Sequence, residues 1–350
     1  MSVFKELDFD GHEQIVFCSD DSVGLRAIIA IHNTHRGPSL GGCRMWGYAS
    51  EGAALQDVLR LSRGMTYKAA MAGIELGGGK SVIIGDPTRL KTPALMQAMG
   101  RAVDRLSGRY IIAEDVGTNV SDMGEIKKST RHVVGLGQAD GGAGDPSPTT
   151  ARGCYVGLRA AVEHTFKTAD LRGARVAIQG LGNVGWHLCQ YLKEAGAELV
   201  VSDIRASKAE RAVAEFDAKA VTTDEIYEAD VDVFAPCALG AILNDETIPR
   251  LKAKVIAGAA NNQLAKPQHA DALTDRDILY APDYIINAAG LIRVDSERRG
   301  FDPHWVNQKV DEISNTLKEV FAVAESNSVS TAVAAEQLAT ARLGRTGTQQ

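Results

Sequence analysis

Residues 175–203 constrain this chain most. A short apolar run, Arg175-Val176-Ala177-Ile178-Gln179, leads directly into Gly180-Leu181-Gly182-Asn183-Val184-Gly185. A helical stretch from about Val184 to Glu194 and a second apolar run, Glu198-Leu199-Val200-Val201-Ser202-Asp203, follow. A lone G-x-G-x-x-G is weak, but with a strand before it, a helix after it and an acid further on it selects a βαβ dinucleotide-binding unit. Gly180 permits the tight turn, Gly182 lets a pyrophosphate approach the backbone, and Gly185 allows close helix–strand packing. The helix N-terminus then presents free N–H groups and a positive dipole end to the phosphates. Asp203 stands 23 positions after Gly180, where an acid accepts hydrogen bonds from ribose hydroxyls and repels a 2′-phosphate. The expected cofactor is therefore NAD rather than NADP. Arg205 reads either as a softening of that preference or as an exposed arginine at a helix start. The glycine run also has a plainer reading, a strand–helix turn without a ligand.

Further apolar runs at 232–235, 255–258 and 278–281 leave room for crossover helices, so the spacing predicts a parallel sheet. Ahead of this region, 14–18 and 25–31 read as strands joined by the turn residues Ser19-Asp20-Asp21-Ser22, an antiparallel hairpin. A helix is expected over 53–70, a strand over 81–84, and a helix opening at Thr92-Pro93, with Thr as N-cap and Pro in the first turn. Residues 109–113 read as a strand ending at Glu114-Asp115. The Gly- and Pro-rich segment 135–148 has the composition of a hinge. The expected fold is α/β with two domains, 1–140 and a Rossmann-like 141–330, followed by a helix over 331–350.

Length and composition exclude several functions. The 350 residues, 45% hydrophobic, suffice for two domains with full cores. A net charge of −6 argues against nucleic acid or an anionic membrane as the main partner. No apolar run approaches the roughly 20 residues of a membrane span, and the first residues carry acids where a signal peptide needs an apolar core. The five cysteines, Cys18, Cys43, Cys154, Cys189 and Cys237, are odd in number and widely spread. That pattern fits reduced thiols in a cytoplasmic protein. His12-Glu13 lacks the second histidine of a zinc-protease motif, and no metal is expected.

Two lysines stand twelve positions apart, in Gly64-Met65-Thr66-Tyr67-Lys68 and Gly77-Gly78-Gly79-Lys80-Ser81. Three glycines strip side chains from the backbone, so a small anion can approach the peptide N–H groups. A lysine beside such a loop can bind a carboxylate or serve in proton transfer. The same residues equally describe a tight strand turn with a solvated lysine.

Seven ordered segments carry a resemblance: Gly37-Pro38-Ser39-Leu40-Gly41-Gly42-Cys43-Arg44, Met65-Thr66-Tyr67-Lys68, Gly77-Gly78-Gly79-Lys80, Glu114-Asp115-Val116-Gly117-Thr118, Ala235-Pro236-Cys237-Ala238-Leu239-Gly240, Ala259-Ala260-Asn261-Asn262-Gln263 and Tyr280-Ala281-Pro282-Asp283-Tyr284. From about Gly11 to Glu325 the chain resembles the amino-acid dehydrogenases that act on glutamate, leucine, phenylalanine and valine, with the leucine branch nearest. The resemblance implies an N-terminal substrate and oligomerisation domain, a Rossmann-like domain, a catalytic cleft between them, and a C-terminal helix packed back on the first domain. It implies reversible oxidative deamination: L-amino acid, NAD⁺ and water give a 2-oxo acid, ammonium and NADH. It also implies a homo-oligomer, octamer or dimer.

By the same resemblance Lys68 binds the substrate α-carboxylate, Lys80 activates water at the imine carbon, and Asp115 exchanges a proton with the substrate amine. Chemically, one lysine stays charged to hold an anion while the other passes a proton during the reaction. Gly41, Gly42 and Asn262 match substrate-binding positions. Thr150, Leu181, Asn183, Val184, Cys237, Ala238 and Asn261 match cofactor-binding positions, beside the glycines and Asp203. Asp115 alone reads as a strand-end turn former, and Thr150 alone as an ordinary N-cap. Leu40, Ala113, Leu291 and Val294 match the side-chain pocket. All four are apolar, so an acidic substrate would bury an unpaired charge, and Leu40 crowds an aromatic ring. Leucine, isoleucine and valine remain. Leu291 stands where the leucine branch usually has valine, which trims the pocket toward valine, one methylene being worth about 1–3 kcal/mol. Asp145 and Arg293 replace usual asparagines and Ala289 a usual glycine.

Two rivals are weighed. A non-catalytic NAD-binding regulator would lack one of Lys68, Lys80 or Asp115, and all are present. A hydroxy-acid oxidoreductase would need a His–carboxylate pair, and no histidine flanks these motifs.

Overall fold

In the computed structural model, which describes residues 3–5, 8–137 and 141–344, the chain divides into two units. The first holds the described residues of 1–144 with Arg293–Asp302 and 342–344, and the second holds Asp145–Ile292 and Pro303–Ala341. Residues 138–140 beside the expected domain boundary, and 345–350 of the expected last helix, lie outside the described residues.

In the first unit, strands β1 (Gln14–Asp20), β2 (Leu25–Asn33), β3 (Ser39–Trp46), β4 (Gly77–Ile84) and β5 (Tyr110–Glu114) form a sheet in the order β1-β2-β4-β3-β5. β2 runs antiparallel to β1 and β4, and β3 runs parallel to β4 and β5. Helices α1 (Glu51–Met71), α2 (Pro87–Leu90), α3 (Pro93–Asp104) and α4 (Val120–Lys127) complete it. Ile28, Ala30 and Val82 pack with Leu55, Val58 and Leu59 of α1 on one face. Ala27, Ile29, Ile31 and Ile83 pack with Met96, Met99 and Val103 of α3 and Met123 and Ile126 of α4 on the other. Covered on both sides, β2 is a continuous apolar run rather than an alternating one. The expected hairpin forms between β1 and β2, and Thr92 caps α3 by accepting from the Leu95 N–H at 3.2 Å.

β4 corrects the reading of the glycine triplet. The strand begins at Gly77, not Ser81, and all three glycines are buried inside it. A Cβ on Gly77 would lie 1.9 Å from Asn33 O, one on Gly78 2.1 Å from Thr66 N, and one on Gly79 2.8 Å from the Tyr110 ring. The missing side chains let strand, helix and ring close on the backbone. Gly41 and Gly42 do the same in β3, where a Cβ would meet Gly79 O at 1.7 Å and Glu114 O at 2.6 Å. Their low strand propensity hides β3 from the sequence pattern, although pairing on both edges holds it in the sheet.

The second unit opens with α5 (Ser147–Phe166) and contains β6 (Arg175–Gln179), α6 (Asn183–Glu194), β7 (Glu198–Ser202), α7 (Ala206–Phe216), β8 (Lys219–Ala220), β9 (Val233–Pro236), β10 (Val255–Ile256), α8 (His269–Thr274), β11 (Leu279–Tyr280) and α9 (Asp283–Ile286). Helix α10 (Ala289–Arg298) spans the division of the chain, and α11 (Pro303–Asn327) and α12 (Thr331–Arg342) follow. The sheet order is β11-β10-β9-β6-β7-β8 with every pairing parallel. This is the doubly wound, Rossmann-like arrangement, with its switch point between β6 and β9. Two boundaries differ from expectation. α12 stops at Arg342 because Gly344 turns the chain at φ +68°, and Arg342 donates to Met71 O at 3.0 Å. Thr150 is not an N-cap, since α5 already begins at Ser147 and the Thr150 hydroxyl donates to Pro146 O at 3.0 Å.

Candidate active site

Strand parity assembles the site of the first unit. Side chains alternate across a strand. Cys43 and Met45 of β3, Ile83 of β4 and Ile112 of β5 belong to the α3–α4 core, whereas Val82 belongs to the α1 core. The opposite parity therefore puts Leu40, Gly42, Arg44, Lys80 and Ala113 on the α1 face. In register, Leu40 pairs with Gly78 and Gly42 with Ala113. Leu40 is 2% exposed and Ala113 9%, so both present apolar surface inside the unit. Gly41 has the other parity, and its carbonyl accepts from the Tyr110 hydroxyl at 2.7 Å.

Lys80 is buried and Asp115 follows directly on β5. The Lys80 Nζ lies 2.9 Å from Asp115 Oδ2, and Arg44 Nε donates to the same oxygen at 3.0 Å. Burial pushes the Asp115 carboxyl up, but the Lys80 and Arg44 charges outweigh it and hold it below the ordinary aspartate range. The Thr118 hydroxyl accepts from the Asp115 N–H at 3.0 Å and donates to Cys43 O at 2.8 Å, fixing the turn after β5. Asp115 is thus a strand-end residue whose carboxylate is committed to two cations.

Lys68 lies in the last turn of α1. The close approach of Gly78 to Thr66 sets α1 against β4, and Lys68 and Lys80 each stand two residues beyond that contact. Thr66 is itself held by His32, whose Nδ1 is 2.7 Å from Thr66 Oγ1. The adjacent His12 ring has its Nε2 2.7 Å from Ser62 Oγ. Burial lowers the His12 pKa to about 4.

In the second unit the fingerprint glycines have separate tasks. Gly180 has φ +97°, and a Cβ there would meet the Ala238 Cβ at 2.6 Å. Gly185 backs onto Gly180 O, which a Cβ would reach at 2.0 Å, whereas nothing lies within 4 Å of a Cβ on Gly182. Gly182 is the N-cap of α6, so Asn183, Val184 and Gly185 form its first turn. Asp203 Oδ2 accepts from the Leu181 N–H at 2.8 Å and Oδ1 from the Arg205 N–H at 2.9 Å. Burial raises its pKa, but these bonds with Lys208 and Arg205 bring it below the ordinary range. Cys237 N–H donates to Gln179 O at 2.8 Å, which brings Cys237 and Ala238 beside the β6 turn. Asn262 adopts φ +51°, and its carbonyl accepts from the Ala241 N–H at 2.7 Å. Asn261 Oδ1 accepts from Asn287 Nδ2 at 2.8 Å. These loops, at the carboxyl ends of β6, β7, β9 and β10, form one continuous rim. Leu291 and Val294 stand one turn apart on α10, Leu291 buried and Val294 half-buried.

Residues 12–132 match the Glu/Leu/Phe/Val dehydrogenase dimerisation domain, and 141–207 and 200–350 match the Glutamate/Leucine/Phenylalanine/Valine dehydrogenase domain. The chain belongs to the Glu/Leu/Phe/Val dehydrogenase family. It is an enzyme of an amino-acid dehydrogenase family whose members depend on NAD(P). A leucine dehydrogenase from Geobacillus stearothermophilus is 51% identical, with 98% of this chain and 94% of that protein covered. A valine dehydrogenase from Streptomyces virginiae is 47% identical over 96% and 95% of the two chains. The crystal structure of L-tryptophan dehydrogenase from Nostoc punctiforme superposes with a TM-score of 0.88 at 47% identity, covering 98% and 99%.

Three departures within this family member have local accounts. The Ala289 methyl fits because it faces Gly153 of α5, where a Cβ would lie only 2.6 Å away. Asp145 Oδ1 accepts from the Ser147 N–H at 2.8 Å, a turn bond that an asparagine also makes. Arg293 donates to Ala143 O and sits 4.8 Å from the Phe301 ring centroid. Arg44, Asp57 and Tyr48, which the sequence left without a role, are joined to Asp115 by hydrogen bonds. Arg44 stood within a quoted motif, but nothing in spacing linked it to Asp115, 71 positions away. Among the described residues no helix is long and apolar enough to cross a membrane.

Proposed function

We propose that this enzyme catalyses the NAD-dependent, reversible oxidative deamination of branched-chain L-amino acids, leucine with valine and isoleucine, to the 2-oxo acid and ammonium. The observation that carries the reading is the 2.9 Å Lys80–Asp115 contact on a sheet face that also bears Leu40 and Ala113. In this reading Lys68 holds the substrate carboxylate and Asn262 binds the substrate as well. Asp115 takes a proton from the substrate amine, and Lys80 directs water onto the imine carbon formed when the α-hydrogen leaves as hydride. Leu40, Ala113, Leu291 and Val294 are the positions proposed for the aliphatic side chain, and their apolar character leaves an acidic one without a partner.

The rim of the second unit fits a dinucleotide. Gly182 is open to approach and Gly180 takes the turn that only glycine tolerates cheaply. The expected cofactor residues are Gly180, Leu181, Gly182, Asn183, Val184, Gly185, Asp203, Cys237, Ala238 and Asn261 on this rim, and Thr150 in α5. Ile204 and Leu239, 90% and 76% exposed beside Asp203 and Ala238, add apolar surface for planar rings. Bound NAD⁺ supplies the hydride acceptor. Asp203, already turned toward the Leu181 N–H, favours a free 2′-hydroxyl over a phosphate.

NADH formation from a panel of L-leucine, L-valine, L-isoleucine, L-phenylalanine and L-tryptophan tests the reading. The highest kcat/KM on an aliphatic substrate supports it, and no turnover with any aliphatic one sinks it. An aromatic substrate is the second reading, favoured by the likeness to the tryptophan enzyme, and preference for tryptophan would select it. A homo-oligomer, dimer or octamer, is proposed from the dimerisation-domain match. Cytoplasmic location is proposed from five free thiols.

A further inference from the structure

The Lys80–Asp115 pair does not end at Asp115. Arg44 Nε donates to Asp115 Oδ2 at 3.0 Å, while its NH1 reaches Asp57 Oδ2 at 2.9 Å and Oδ1 at 3.2 Å. The Tyr48 hydroxyl donates to Asp57 Oδ2 at 2.6 Å. Lys80, Asp115, Arg44 and Asp57 thus alternate in charge and sum to zero across two strands, the end of a third and a helix. Arg44, Tyr48 and Asp57 line a cavity of about 640 Å³, so the series of charges leads from a buried lysine to partly exposed side chains. Asp57 and Lys68 are eleven residues apart on α1, about three turns, which places them on one stripe of that helix.

We propose that Arg44, anchored by Asp57 and Tyr48, is a positioning residue that holds Asp115 as a carboxylate turned toward Lys80. The inference rests on the proton-transfer role proposed above for Asp115. A guanidinium suits the task because separate nitrogens address two carboxylates in a fixed plane, which a lysine ammonium cannot do. The groups facing Asp115 are Lys80 from β4, Arg44 and Cys43 from β3, Tyr110 from β5, and Asp57 with Tyr48 through Arg44. Cys43 and Tyr110 are fully buried, and burial raises both pKa values, so the two cations are the charges that act on Asp115. If Asp115 must be ionised to receive the amine proton, activity falls as pH drops through its pKa. Weakening Arg44 raises that pKa and moves the acid limb to higher pH.

The test is the pH profile of kcat/KM for L-leucine in Arg44→Gln, Arg44→Lys and Tyr48→Phe. The acid limb is expected to rise by about one unit or more in Arg44→Gln, the effect of losing a cation within 4–6 Å. It should rise less in Tyr48→Phe and return part-way in Arg44→Lys, where charge is restored without the fork. A purely structural role predicts lower turnover with an unmoved limb, which would overturn the proposal. Tyr48→Phe deletes one hydroxyl and serves if Arg44→Gln does not fold. A substrate-free readout separates this inference from the function. Urea unfolding of Arg44→Gln, Asp115→Asn and the double variant should be non-additive at pH 7, and additivity would refute the coupling. Non-additivity in a protein that turns over no amino acid would leave the coupling standing and the functional reading refuted.

Discussion

In the first unit the candidate site is a face of charged side chains. Lys80, Asp115, Arg44 and Asp57 hold one another at 2.9–3.0 Å, and their chemistry is that of ammonium, carboxylate and guanidinium groups. In the second unit the candidate rim around Gly180, Gly182 and Gly185 is mostly backbone, and at Gly180 and Gly185 the missing side chains allow its close packing. The comparison teaches that the two halves fail differently. Changes in the first should alter proton transfer while the fold survives, and changes in the second should alter backbone shape and so binding and stability together.

The largest effect is expected from Lys80→Ala, which removes the group proposed to direct water onto the imine carbon and should lower turnover by about 10²- to 10⁴-fold. NADH binding, followed by fluorescence titration, should persist. Loss of NADH binding in this variant would break the separation between the two units' tasks. Acid should reach the first unit through His12. Its folded pKa is about 4 against 6.5 for the free side chain, so the unfolded chain binds more protons between those values. Stability should therefore fall as pH drops from about 6.5 to about 4, by at most about 3 kcal/mol. His12→Asn should flatten that slope in urea unfolding measured at pH 7, 6 and 5, and an unchanged slope would mean His12 carries none of it.

Gly180→Ala places a Cβ at φ +97° and against Ala238. It should cost about 1–3 kcal/mol of stability and weaken NADH binding, whereas Gly182→Ala meets nothing within 4 Å and should leave the fold intact. Equal stability losses in the two variants would contradict the division of tasks among the glycines. The smallest effect is expected from Leu291→Val. Removing one methylene should move the leucine-to-valine ratio of kcat/KM by about tenfold toward leucine. An unmoved ratio would take Leu291 out of the specificity set.

Much of the fold was legible in order and type. The βαβ unit at 175–203, the β1–β2 hairpin and the Thr92 cap all follow from local signals: glycine spacing, turn residues and capping chemistry. β3 was illegible because Gly41 and Gly42 have poor strand propensity, and only neighbours on both sides make the segment a strand. The Gly77–Gly79 triplet was legible as a place of close approach but not as to what approaches. The pattern suggested a ligand, and the structure supplies Asn33, Thr66 and Tyr110. Arg44 was visible in a motif, yet its partners Asp115 and Asp57 come from a different strand end and from a helix.

The amino-acid sequence by itself determined the α/β class, the place of the glycine turn and its acid, and the residue types that family membership makes meaningful, because those signals are local in the chain. Tertiary structure alone decided which carboxylate meets Lys80, what the glycine triplet accommodates, and how Arg44 is shared between Asp115 and Asp57. Those outcomes depend on strand parity, register and burial, which bring residues tens of positions apart within hydrogen-bond distance. No local pattern encodes such distances.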